Sequence, residues 1–337
     1  MKDHALTRRG AVAALAALTA APFTRVASAA DKITIAVPST NVDDAAIFVA
    51  LQKGYFAAEG LDADVIIAGG GVATPGLLSG TVEASASPAS ALSAILRGAD
   101  LRILLVFGTS PPYELWGNDS VHSLADLPGK SIGVQTRGDT FELATRIALQ
   151  QAGVSADTVG FTPLGVGATV GAALTSGALP AICTATVEID ELLARGALKN
   201  ALRVLNYYGK VHMPFNGLAT SLKLITEQPQ IAHGIVTGVV KAVRYARAFK
   251  AQTVAMTARY SQNPDVPALD KDYDELMQYL TPSLTAPPDT LVPDLAVRAQ
   301  LFNIPPAQVP PIDKVYAFSI ARAVNAELDR SHWRPTP

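Results

Sequence analysis

The residues of this chain that could do chemistry sit in short loops where an extended run gives way to a helical one. Ser39, Thr40 and Asn41 follow the β-branched run Ile33 to Val37, Gly70, Gly71 and Val72 follow Ala63 to Ile67, and Ser87 and Ser90 follow Val82 to Ser85. Further along, Arg137, Gly138, Asp139 and Thr140 follow Ser131 to Gln135. Gly167 follows Phe161 to Leu164, and Thr184, Thr186 and Glu188 cluster at the end of Ala181 to Ala185. A helix start leaves backbone N–H groups unpaired, so hydroxyls and glycines placed there can hold a small polar or anionic ligand. This is binding chemistry, and no catalytic set accompanies it.

Each candidate has a structural alternative. Arg137 could pair bidentately with a carboxylate or sulfonate, or lie on the surface as a loop arginine. Asp139 suits an N-cap for the helix that starts at Thr140. The run Gly69 to Gly71 fits either a left-handed bend or close approach of backbone to ligand. Asp43 and Asp44 read as acidic groups at a helix start, and if they face a cleft instead, a cationic ligand such as a pyrimidine or amine becomes plausible. Tyr113 and Trp116 could stack on a planar ligand or simply pack. Glu188 and Asp190 could set specificity or cap a helix, while His122, His212 and His233 share no helical face and read as surface or satisfied polar residues.

These loops belong to an alternating strand–helix pattern from Lys32 onward, which predicts mainly parallel sheets with helices on both faces. The apolar run Leu101 to Phe107 predicts a strand covered on both sides. Thr109-Ser110-Pro111-Pro112-Tyr113 breaks the pattern and reads as a crossing between two lobes. A second alternating unit follows from Leu127, and Met213 to Thr220, including Asn216, reads as the return crossing. Beyond it the periodicity is helical over Gln228 to Lys250, Gln252 to Tyr260, Tyr273 to Leu280 and Lys314 to Leu328, with Pro-rich turns between, predicting helices that cap the first lobe.

With 337 residues, 49% hydrophobic and 17% charged, the chain can form two compact lobes, and a net charge of -2 offers no basic surface for nucleic acid. Lys2, Arg8 and Arg9, an Ala/Leu run and Ala27-Ser28-Ala29 predict an export signal over residues 1–29, too short to span a bilayer. Arg8-Arg9 resembles a twin-arginine signal, with Ala11 where a leucine or aromatic is usual. Cys183 is the single cysteine, so no intramolecular disulfide, lipid-bearing cysteine or cysteine metal framework is expected.

Taken together, LQKGYFAAEGL, LSGTVEAS, DLPGKSIGV and PFNGLAT resemble the nitrate/sulfonate/taurine-type substrate-binding proteins of ABC importers, over about Asp31 to at least Ala248. The resemblance implies an α/β, two-lobed type II periplasmic-binding fold with a ligand cleft between the lobes. Lobe 1 would be 30–112 with 218–337 and lobe 2 would be 113–217. It also implies an exported, periplasmic monomer without cofactor or metal that captures a sulfonate, carboxylate or nitrate-like ligand and delivers it to an inner-membrane permease. The same fold family includes pyridoxal-dependent thiamine-pyrimidine synthases, whose cysteine-rich segment this chain lacks, and a ligand-presenting sensor would use the same lobes.

Overall fold

In a computed structural model of the chain, residues 30–40, 42–165, 168–198, 200–261 and 266–337 are described. The expected export signal, Asn41 and Gly167 lie outside them. Ten strands form among the described residues: β1 Asp31–Val37, β2 Leu61–Ile67, β3 Ala84–Ser85, β4 Leu101–Gly108, β5 Tyr113–Gly117, β6 Ser131–Val134, β7 Gly160–Pro163, β8 Ala181–Ala185, β9 Leu202–Asn206 and β10 Phe215–Ser221. They make two five-stranded sheets, ordered β2-β1-β3-β10-β4 and β7-β6-β8-β5-β9.

The two orders are the same plan used twice. In the first sheet β1 pairs in parallel with β2 and β3, and β10 runs antiparallel to β3 and β4. In the second, β6 pairs in parallel with β7 and β8, and β5 runs antiparallel to β8 and β9. Each sheet thus has one reversed strand, and in both it is the strand that follows a crossing. This corrects two expectations. Tyr113, placed at the end of the break, already opens the strand Tyr113–Gly117, and the return crossing lies earlier, between Asn206 and Phe215, because Phe215 to Ser221 is already a strand of the first sheet.

The two crossings are tied to each other. Met213 N–H donates to the Thr109 carbonyl at 3.0 Å. The buried Ser110 hydroxyl accepts from Gly209 N–H at 2.7 Å and lies 3.0 Å from the Val211 carbonyl oxygen. A hydroxyl that both accepts and donates across two strands of chain fixes their register with one side chain.

The first sheet is covered by the long helix Pro229–Ala248, whose Ile235, Val239 and Val243 pack with Phe48 and Phe56 in one buried cluster. Phe56, in the LQKGYF punctuation, is scaffold: a Cβ on Gly238 of that helix would lie 2.5 Å from its ring. The later helices do more than cap the first sheet. Val254, Leu269, Tyr273, Leu276, Tyr279 and Val297 all join the core of the second sheet, so the C-terminal helices bridge both.

Candidate functional site

A cleft of about 740 Å³ opens where the strand ends of both sheets meet. Parallel strands end here, with Pro38 and Asp43 after β1, Ala86 to Ser90 after β3, Gln135 to Thr140 after β6 and Ala185 at the end of β8. The reversed strands begin here, each with an aromatic residue: Tyr113 opens β5 and Phe215 opens β10. Ligands of open α/β sheets lie at the carboxyl ends of strands, and the sequence of this chain also turns the starts of its two reversed strands toward that place.

Four rings run along the cleft. Phe141 and Tyr113 lie 4.4 Å apart between centroids, Tyr113 and Phe215 5.6 Å apart and edge-on, and Phe215 and Tyr279 5.3 Å apart and edge-on. Two hydroxyls at the ends are anchored. Tyr113 Oη shares a 2.7 Å hydrogen bond with Thr140 Oγ1, and Tyr279 Oη donates to Asp43 Oδ1 at 2.6 Å. Tyr279 ends the helix Val266–Tyr279 and is held over the cleft by the next residues, since Thr281 N–H donates to the Phe107 carbonyl at 2.6 Å. The rings have little exposed surface, so what they offer the cleft is a packed apolar wall with polar rims rather than open faces.

The electrostatics of the cleft are mixed and lean acidic. Asp43, Asp139, Asp272 and Glu275 line it against Arg137 and Arg298. Neither guanidinium is unengaged: Arg137 Nε lies 3.4 Å from the buried Glu142 carboxylate and its Nη1 donates to the Phe161 carbonyl, while Arg298 is paired with Asp294. Burial raises the pKa of Asp43, opposed by the Tyr279 hydrogen bond, and burial likewise raises Asp139 and Glu275.

The structure brings together Gly70, Ser87, Ser90, Tyr113, Arg137, Gly138, Asp139, Thr140 and Asn216 on the cleft wall. Asp139 also caps its helix, Oδ1 accepting from Glu142 N–H at 2.9 Å and Oδ2 from Thr136 N–H at 2.7 Å. Gly70 is not a left-handed bend. It lies within the helix Gly70–Ser79, and a Cβ there would fall 1.9 Å from Ser90 Oγ, so glycine lets two helix starts close on each other.

Ser39, Thr40, Gly71, Val72, Thr184, Thr186 and Glu188 are not among the residues lining the cleft. Ser39 donates to Asp44 Oδ2 at 3.1 Å, and Val72 is 69% exposed. The Thr184 hydroxyl donates to Glu188, one turn on, and Thr186 Oγ1 donates to the Pro112 carbonyl at 3.0 Å. Trp116 packs in a separate core, its Nε1 donating to Glu114 Oε2 at 2.6 Å. Asp43 is at a helix start as expected, in the single turn Val42–Asp44, and it also faces the cleft. Sequence reasoning missed Asp272, Glu275, Tyr279, Arg298 and Tyr316, which arrive on C-terminal elements.

Asp44, beside the cleft, makes a testable case. Its carboxyl is pushed well above the ordinary range by burial and by the neighbouring Asp43 charge, with hydrogen bonds from Ser39 opposing. A raised carboxyl keeps its proton in the folded state where the unfolded chain has lost it. Its contribution is therefore fully present below the unfolded pKa of about 3.9 and is lost as pH rises through the folded value. Asp44→Asn removes that loss and is expected to stabilise the protein at neutral pH by about 1 kcal/mol or more, with the gain shrinking toward acid. Urea unfolding at both pH values checks it; a gain independent of pH would contradict it.

Two similarly built α/β sheets with a ligand-sized cleft at their strand ends define the periplasmic binding protein fold. The chain belongs to the NMT1/THI5-like family, whose model matches residues 41–251. This agrees with the resemblance to nitrate/sulfonate/taurine-type substrate-binding proteins. Over 301 residues, 86% of this chain and 76% of its relative, it is 28% identical to the riboflavin-binding protein RibY of Chloroflexus aurantiacus. Among solved structures, the putative periplasmic sulfonate-binding protein SsuA of Methylobacillus flagellatus superposes with a TM-score of 0.70 at 18% identity, covering 92% of this chain and 98% of that one. The periplasmic nitrate-binding protein NrtA of Synechocystis gives 0.66 at 14% identity, covering 88% and 89%. These two likenesses are of fold. No helix among the described residues is long and apolar enough to cross a membrane.

Proposed function

We propose that this protein is the extracytoplasmic solute-binding component of an ABC importer. Two lobes, 30–112 with 218–337 and 113–217 to within a few residues at the return crossing, close on a small ligand and present it to a permease. The export-type N-terminus supports a periplasmic location. The observation that carries the reading is the four-ring wall spanning the strand ends of both sheets, Phe141, Tyr113, Phe215 and Tyr279.

That wall also favours a ligand class. A cleft of about 740 Å³ would be left mostly empty by nitrate or a short sulfonate, and the charges of its two guanidinium groups are already balanced by Glu142 and Asp294 while four carboxylates line the same cleft. A planar, neutral or weakly basic heteroaromatic, of pyrimidine or flavin type, fits the rings and the charge better than an oxyanion. The 28% identity to a riboflavin-binding protein supports the same class. Catalysis is not part of the reading. Cys183 is buried with its thiol pushed up to about 12 by burial, and no histidine is among the described cleft residues.

Thermal-shift screening of the mature protein with riboflavin, pyrimidines, alkanesulfonates, carboxylates and nitrate tests it. A bound ligand at a hundredfold excess over its Kd adds about 2.7 kcal/mol, enough to raise the melting point visibly. Riboflavin or a pyrimidine is expected to do so. No response to any class would overturn the proposal.

A further inference from the structure

Four polar atoms at or just behind one wall of the cleft lack partners among the described residues. Arg298, on the helix Pro288–Leu301, is 2% exposed and lines the cleft. Its Nε donates to Asp294 Oδ2 at 2.9 Å, and its two Nη groups make no hydrogen bond among the described residues. Asp294 is fully buried and its Oδ1 is unpartnered. Tyr316 also lines the cleft, is 5% exposed, and its buried hydroxyl is unpartnered. Native proteins leave few buried polar atoms unsatisfied, so Asp294 Oδ1 and the Tyr316 hydroxyl, with the two open Nη groups of Arg298 beside them, need an explanation.

The frame around them is rigid. Tyr316 N–H donates to the Ile312 carbonyl at 2.8 Å, its backbone bridges to Ile103 of β4, and its ring lies 5.1 Å from that of Phe318. Asp294 and Arg298 stand one helical turn apart, so the carboxylate fixes the guanidinium by Nε and balances its charge. Asp294 does not line the cleft, so what faces it is a set of N–H and O–H donors from Arg298 and Tyr316, with the guanidinium charge balanced from behind by Asp294, in a cavity otherwise rich in carboxylates. Such a set suits an oxygen that accepts hydrogen bonds without bringing a negative charge.

We infer that Arg298 and Tyr316 form a second, carbonyl-binding subsite of the cleft, taking an amide or imide oxygen of the ligand. It rests on the solute-binding reading and lies outside the stretch 41–251 that the family model matches. The apolar ring wall then borders the ligand and this subsite holds one edge.

Titration of the mature protein with riboflavin and uracil, both of which carry imide carbonyls, and with ethanesulfonate and nitrate tests it. The parent protein is expected to bind riboflavin or uracil. Tyr316→Phe should weaken that binding by about fivefold to tenfold, and Arg298→Lys, which breaks the planar fork, by about tenfold or more. Tyr316→Phe should leave the melting point of the ligand-free protein unchanged or raised, because the hydroxyl it removes has no partner. If Arg298→Lys fails to fold, Tyr316→Phe decides. Asp294→Asn, which unbalances the guanidinium, should shift preference toward ethanesulfonate; an unchanged ranking would overturn the charge argument and with it the carbonyl preference. Parent-like affinity in both Tyr316→Phe and Arg298→Lys overturns the subsite and leaves the solute-binding reading standing. So does stronger binding of ethanesulfonate or nitrate by the parent. A parent protein that binds none of the four probes overturns both.

Discussion

Gly217→Ala is expected to cost a large share of the protein's stability. Gly217 has φ of 147°, in a region that residues with a Cβ avoid, and an added Cβ would lie 2.0 Å from the Leu105 carbonyl oxygen. The atom it meets is backbone of the neighbouring β4, held by pairing along its length, so a side chain cannot swing aside to make room. Backbone strain of about 1–3 kcal/mol adds to overpacking of about 1–3 kcal/mol. The whole domain is held by only about 5–15 kcal/mol. The position also matters to the site, because Asn216 beside it lines the cleft with its own left-handed φ of 50°, and Phe215 carries the ring wall. Urea unfolding measures the loss; a midpoint close to the parent's would contradict the strand register described for β10.

Asp43→Asn is expected to weaken ligand binding by about tenfold to a hundredfold. Its Oδ1 accepts from Tyr279, and that is its hydrogen bond among the described residues, so Oδ2 is left to accept from a ring N–H or amino group of the ligand. The asparagine keeps the shape and the Tyr279 bond but puts an Nδ2 donor where Oδ2 accepted, so the change removes both the charge and the acceptor offered to the ligand. The pH dependence follows. A ligand donor favours the ionised carboxylate, whose pKa burial has raised, so affinity should fall as pH drops through a range that begins above the ordinary carboxylate value. Calorimetry with the ligand that raises the melting point, across the acidic to neutral range, should show that fall in the parent and a flatter profile in Asp43→Asn. Equal affinity of the two at neutral pH would remove Asp43 from the site.

The half of the site that lies in strand-to-helix loops was legible, because the signal is local. In SPAS and TRGDT, a strand ending in Ser, Thr or Asp before a helix announces both the turn and its unpaired N–H groups. VPSTN was legible only in part, since Ser39 turns to Asp44 and it is Asp43 that faces the cleft. The two reversed strands were hidden for a different reason. YELWG and FNGLATS are short, follow proline-containing crossings and contain a glycine, so nothing nearby separates a strand from a linker. The left-handed bend offered for Gly69 to Gly71 failed because what demands glycine at Gly70, the Ser90 side chain, comes from another element.

The C-terminal contribution was the least legible. Helical periodicity says which face of a helix is apolar but not which neighbour it meets, and Tyr279, Arg298 and Tyr316 reach the cleft through long-range packing. One signal was available. In PDTLVPDLAVRAQL, Asp294 and Arg298 fall on the same face as Leu291 and Leu295, and a charged pair inside an apolar stripe marks a buried pair.

The central claim is that the ring-walled cleft holds a planar, uncharged or weakly basic small molecule. Native mass spectrometry of the protein purified without refolding tests it most directly, since a tightly held ligand reports its own mass. The account predicts a bound species that absorbs in the near ultraviolet or visible, leaves on denaturation, and has the mass of a pyrimidine or flavin. A co-purified sulfonate, nitrate or aliphatic carboxylate would contradict it.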